Sequence, residues 1–129
     1  MKSILLPIKG TYYYQNHEQL QATLRLNQPL FLVEEQRNPY DFNAIQIWGY
    51  LKNKSALLGY IPRQKTDFIH FLKSIQSPIK STLVQVKPQR NLVQLVIRLE
   101  YSLTIKQHIF FYWWYILHSL KIKLKRKLT

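Results

Sequence analysis

Between Ile4 and Tyr101 the chain is a succession of short apolar runs, broken by turn-forming residues every ten positions or so. Residues 4–14 are rich in β-branched and aromatic types and read as a strand, with Gly10 marking a bulge or a close backbone approach. Alternation sets Tyr12 and Tyr14 on one face of it and Tyr13 on the other. Residues 29–35 form a continuous apolar run, which predicts a central, well-buried strand. Residues 43–49 and 56–61 predict a hairpin across 50–55, with Lys52 and Lys54 at its tip. Residues 79–87 and 92–101 predict a second antiparallel pair, joined by 88–91.

Helical spacing is confined to three stretches. Residues 15–27 are polar, with Leu20, Leu24 and Leu26 spaced nearly as a helix, and predict a loop holding one or two helical turns, with His17 facing solvent. Residues 62–75 carry Phe68, Phe71, Leu72 and Ile75 at i, i+3, i+4 and i+7, a single apolar face suited to plugging one end of a barrel. Pro78 is expected to stop this helix, and His70 to pack beside its face. Residues 104–122 predict a last helix, apolar almost all round. Short strands at regular spacing indicate a β-barrel or sandwich.

Charge adds a partner class to this picture. The net charge is +13 over 129 residues. Residues 1–105 hold 13 Lys and Arg against all 6 acidic residues, and residues 106–129 add 6 more with no acid. Such a balance suits a polyanion, either nucleic acid or an anionic membrane surface. The apolar core of the tail, residues 109–120, would span about 18 Å as a helix, short of the ~30 Å hydrocarbon layer. Its two Trp and two Tyr, followed by Lys121, Lys123, Lys125, Arg126 and Lys127, suit an interfacial helix or one packed on its own domain. Cysteine is absent, which excludes thiolate metal sites and thiol nucleophiles. Only three glycines are present, and no Gly-rich phosphate loop. The four histidines, at 17, 70, 108 and 118, have no metal-ligand spacing. The expected protein is therefore not an enzyme and carries no metal or cofactor.

The densest chemistry lies between Glu34 and Arg63. Asn38-Pro39-Tyr40-Asp41 is turn chemistry: Pro39 fixes its own φ and holds Asn38 extended, and Asp41 can accept from nearby backbone N–H groups. Asn43, Ala44 and Ile45 follow, and Gly59-Tyr60-Ile61-Pro62-Arg63 closes the segment. A polar, aromatic loop held against a hairpin beside a basic residue is the layout of a binding site.

Asn-Pro-Tyr-Asp-x-Asn-Ala-Ile followed by Gly-Tyr-Ile-Pro-Arg resembles the HIRAN domain, and Gly10-Thr11-Tyr12-Tyr13-Tyr14 resembles that family's first strand. The resemblance implies an OB-like antiparallel β-barrel and a grip on the 3′ end of single-stranded DNA, in a setting of DNA repair. It implies that Asp41 takes the terminal hydroxyl, that Asn38 and Tyr40 shape the pocket, and that Tyr13, with Tyr12 or Tyr14, stacks on bases. Tyr60 and Arg63 would meet phosphate. Tyr12 stands where DNA-binding relatives can carry an Arg, which removes one phosphate contact.

The expected architecture is thus mainly β: a barrel of about six strands with one or two helices over residues 1–101, then a C-terminal apolar and basic helix within 102–129. The expected function is a non-catalytic module that grips single-stranded DNA at a free 3′-hydroxyl. Two alternatives stand beside it. One is an interaction or targeting module for a separate helicase or nuclease. The other is a membrane-peripheral protein whose residues 109–127 touch the membrane surface. The expected compartment is the cytoplasm.

Overall fold

The computed structural model describes residues 1–11, 20, 23–35, 38, 41, 43–89 and 92–128. The elements are β1 (Lys2–Pro7), β2 (Phe31–Glu34), β3 (Ile45–Leu51), β4 (Lys54–Tyr60), α1 (Arg63–Ser74), β5 (Lys80–Gln89), β6 (Leu92–Tyr101) and α2 (Ile105–Leu128). The strands form two three-stranded antiparallel sheets, ordered β1-β6-β5 and β2-β3-β4. A single core lies between them, including Leu6, Ile8, Ile45, Ile47, Leu58, Leu83, Leu95, Ile97 and Leu99, with Ile69 of α1.

The six strands of the expected barrel are present, but among the described residues they do not close into one. The sheets meet at two seams, each made by a single bridge, Lys9↔Tyr60 and Pro29↔Thr82. At the first, Lys9 N and Tyr60 N each donate to the other residue's carbonyl, at 2.9 and 2.8 Å. The ladder ends there because Gly10 turns the chain at φ 77. At the second, Leu30 N donates to Ser81 O and Leu83 N to Gln28 O, after which the chain leaves β5 to pair with β3. Gly59, at φ 150, makes the first seam passable: a Cβ there would lie 2.4 Å from Lys9 O and 2.6 Å from Ile8 Cγ2.

Three further expectations change. The strand expected over 4–14 stops at Pro7, and Tyr12, Tyr13 and Tyr14 lie outside the described residues. β2 is an edge strand rather than a central buried one, and Phe31 and Val33 face outward, 48% and 45% exposed. Phe31 meets Tyr50 edge to face at 5.9 Å, so each ring shields the other on the outer face. The β3–β4 loop is tighter than expected: Lys52 and Asn53 both take positive φ, 51 and 65, the geometry of a two-residue hairpin turn. In β5, Ser81 and Leu83 face the core, but an extra residue between Leu83 and Gln85 reverses the phase and turns Val86 inward.

Both helix ends have local causes. α1 stops before Pro78 is reached. Gln76 takes φ 57, its N–H donates to Lys73 O, and Ser77 N donates to Leu72 O, closing the last turn as a Schellman motif. Thr66, Ile69, Phe71 and Leu72 are its buried residues, whereas Phe68 and Ile75 are half-buried. α2 opens on a capping box: Gln107 N donates to Thr104 Oγ1 at 3.2 Å, and Thr104 N donates to Gln107 Oε1 at 2.8 Å. It runs six residues past the expected end at 122.

Candidate nucleic-acid interface

The loop before β3 is braced by its own side chains. Asp41 N donates to Asn38 Oδ1 at 3.2 Å, and Asn43 N donates to Asp41 Oδ1 at 3.0 Å. These are side-chain-to-backbone turns of the kind Asn and Asp favour. The other Asp41 oxygen, Oδ2, lies 3.3 Å from Arg63 Nε at the start of α1. Arg63 is mostly exposed, so this pair orients the two groups more than it stabilises the fold.

Asn43 is the hub that sequence reasoning passed over. It is buried and belongs to the turn motif, yet its side chain reaches two helices. Its Nδ2 donates to Thr66 Oγ1 at 2.9 Å and to Asp67 Oδ1 at 2.7 Å. Its Oδ1 accepts from His118 Nε2 of α2 at 2.7 Å. Its backbone carbonyl accepts from His70 Nε2 at 3.0 Å. His70 Nδ1 lies 3.1 Å from Glu34 Oε1, so both His70 bonds are made together only when the ring carries two protons.

His118 stacks on Trp114 with centroids 4.4 Å apart and lies 5.3 Å from His70. Burial lowers its pKa below the ordinary imidazole value. His70, Lys121 and Lys125 push the same way, and Asp67 opposes them. Farther along the seam between α1 and α2, Phe111 packs edge-on against Phe68 and Phe71, at 5.5 and 5.1 Å. The two histidines come together only through tertiary packing, which is why no metal spacing or pairing shows in the sequence. Among the described residues no group of three or more His, Asp or Glu side chains is arranged to hold a metal ion.

Around this network lies a cleft of ≈ 240 Å³. Asp41 and Asn43 line it from the loop, Arg63, Thr66 and Asp67 from α1, and Ser119, Ile122, Lys123 and Arg126 from α2. α1 has no side-chain N-cap and no acidic residue in its first turn. The positive end of its dipole therefore faces the cleft with no acid of its own first turn to offset it. The cleft thus offers carboxylate acceptors beside three side-chain cations.

Of the residues expected at the site, the fold brings Asn38, Asp41 and Arg63 into one loop-and-helix corner. Tyr60 does not line the cleft; its backbone forms the seam with Lys9. Tyr12, Tyr13 and Tyr40 lie outside the described residues. Lys123 and Arg126 were not expected there, because a charged tail gives no sign in sequence of where it docks. A larger depression, ≈ 530 Å³, lies by the hairpin tip and is lined by Arg25, Gln28, Tyr50 and Lys52 among others, with no carboxylate among the described residues.

Two small sheets enclose one core and carry a basic cleft at the motif loop. The HIRAN domain model matches residues 1–113, and the chain belongs to the HIRAN domain family. The crystal structure of the HIRAN domain of human HLTF shares the fold, with a TM-score of 0.61 and 15% identity over 90% of this chain and 88% of that one. The crystal structure of a protein from Lactobacillus plantarum is also similar, with a TM-score of 0.55 and 25% identity over 77% of this chain and 97% of that one. No curated protein matches the chain.

Proposed function

We propose that this protein is a non-catalytic module that binds single-stranded DNA and grips its free 3′-hydroxyl end. The observation that carries this reading is the cleft in which Asp41 lies with Arg63, Lys123 and Arg126 at the N-terminal end of α1. A 3′ terminus presents a hydroxyl donor one sugar away from a phosphate. Asp41 is already aimed by Asn43 N–H and Arg63, and it accepts a hydrogen bond from the hydroxyl. The three cations, at the positive end of the α1 dipole, hold the phosphates nearest that end. At ≈ 240 Å³ the cleft is smaller than the about 300–1,000 Å³ usual for drug-sized ligands. It suits one sugar–phosphate end, with the rest of the strand outside. The family motif assigns base stacking to Tyr12 and Tyr13 and makes Tyr40 a pocket residue. The HIRAN family match and the charge of +13 support the same ligand. A helicase or nuclease acting on the same end is the partner this role calls for.

The test is binding to matched oligonucleotides that end in a 3′-hydroxyl, a 3′-phosphate, or a closed circle. The hydroxyl end should bind at least tenfold tighter than the other two. Equal affinity for all three would reduce the protein to a general basic single-strand binder.

A further inference from the structure

α2 has two opposite faces, and the end-binding reading uses only one. Phe111, Trp114 and His118 point toward α1. On the other side, Ile109, Trp113, Ile116, Leu120 and Leu124 recur at i, i+4, i+7, i+11 and i+15, one continuous face. All five are more than half exposed, and Trp113 is 68% exposed. Phe110, Tyr112 and Leu117 flank them and are more exposed than not. An apolar stripe of this length left exposed marks a docking surface.

Charge and residue type select the occupant. No acidic residue lies beyond Glu100, and Lys106 stands at the start of α2 while Lys121, Lys123, Lys125, Arg126 and Lys127 crowd its end. A second copy would bring the same cations and another +13 to the contact, with no acids on α2 to answer them. Trp and Tyr beside an aliphatic stripe, ending in a cationic cluster, is the composition of a helix lying at the boundary between headgroups and acyl chains. No helix among the described residues is long and apolar enough to cross a membrane. We propose that the outward face of α2 docks on an anionic lipid bilayer, lying in the plane of the interface while its inward face stays on α1. Lys123 and Arg126 serve both readings, but Phe110, Trp113, Lys121 and Lys127 do not line the cleft, so the test below does not depend on the end-binding reading.

The experiment is co-sedimentation of the full chain with vesicles of phosphatidylcholine alone or with about a third phosphatidylglycerol. Wild type should partition at least tenfold more strongly onto the anionic vesicles. The double variant Phe110→Ser, Trp113→Ser removes two exposed rings that the core does not use. It should keep its far-ultraviolet circular dichroism and lose at least about tenfold in partitioning. Lys121→Gln with Lys127→Gln should lower binding to anionic vesicles by about ten- to thirtyfold and leave the neutral ones little changed. Undiminished binding by the Ser variant would mean general attraction of a cationic protein and overturn the proposal. Absence of vesicle binding would overturn it as well. A concentration-dependent dimer that the Ser variant breaks, without vesicle binding, would assign the face to a second copy instead.

Discussion

His118 Nε2, near the end of the chain, donates to Asn43 Oδ1 in the motif loop at 2.7 Å, across 75 residues of sequence. The same Asn43 side chain donates to Thr66 and Asp67, so one buried amide ties loop, α1 and α2 together. Asn43→Ala should therefore destabilise the fold by about 1–3 kcal/mol, the cost of leaving buried partners unsatisfied. Urea unfolding measures this. A loss under about 0.5 kcal/mol would show that water replaces the amide at no cost and that Asn43 is no hub.

The lowered pKa of His118 makes this junction sensitive to acid. In the unfolded chain the ring takes its proton at the ordinary value of 6.5, whereas in the fold it resists until the pH is lower. The unfolded state then binds more protons, so stability is complete above 6.5 and is lost as pH falls from there toward the lowered value. His118→Gln keeps a side-chain N–H donor for Asn43 but cannot titrate. Between pH 7 and pH 5, wild type should lose more thermal stability than His118→Gln does. Parallel pH profiles would remove His118 as the cause.

Gly59 carries a different kind of constraint, fixed by backbone rather than by hydrogen-bonding side chains. At φ 150 an L side chain is strained, and its Cβ would meet Lys9 O at 2.4 Å. Gly59→Ala should cost about 2–5 kcal/mol, adding backbone strain to overpacking at the seam between the sheets. Hydrogen exchange should report it locally, through faster exchange of the Lys9 and Tyr60 amides that close the seam at 2.9 and 2.8 Å. Unchanged exchange at those two positions would mean the seam adjusts without opening.

Much of this architecture was legible in sequence. Leu95, Ile97 and Leu99 alternate cleanly with Gln94 and Arg98 because β6 runs centrally and straight, so period two survives. The pairing of β5 was harder, since one extra residue at Val84 shifts the phase, and nothing in the residue types announces it. β2 was misjudged for another reason. An apolar run such as Phe31-Leu32-Val33 signals burial on both faces only if something covers each face, and Phe31 is instead covered in part by Tyr50. Closure of the sheets depends on where ladders stop, at Gly10 and around Pro29, which local pattern does not reveal. At the site, Asn38 and Asp41 were readable because their bonds are local. The roles of His118, Lys123 and Arg126 rest on how α2 docks against α1, a tertiary fact absent from any window of sequence.

The proposed DNA binding divides into three contributions that one affinity would blur. Asp41→Ala removes the acceptor for a terminal hydroxyl and should weaken binding to a 3′-hydroxyl end by roughly ten- to a hundredfold, the worth of a charge-assisted hydrogen bond of about 1.5–3 kcal/mol. A 3′-phosphate end should be little affected, or bind better, because a carboxylate repels it and Arg63 is released from its 3.3 Å pairing. Lys123→Ala with Arg126→Ala should weaken both ends alike. It should also reduce the slope of log affinity against log salt by about 1.4, if each cation answers one phosphate of a single strand. Tyr13→Ala should weaken both ends with the slope kept, since stacking releases no counterions. These outcomes fail independently. If the α2 pair leaves the salt slope untouched while Asp41→Ala still abolishes the hydroxyl preference, the end is held by loop and α1 alone, and α2 only covers the cleft. If Asp41→Ala lowers both ends equally, the carboxylate serves as the brace of Asn43 N–H and Arg63 and not as the reader of the hydroxyl.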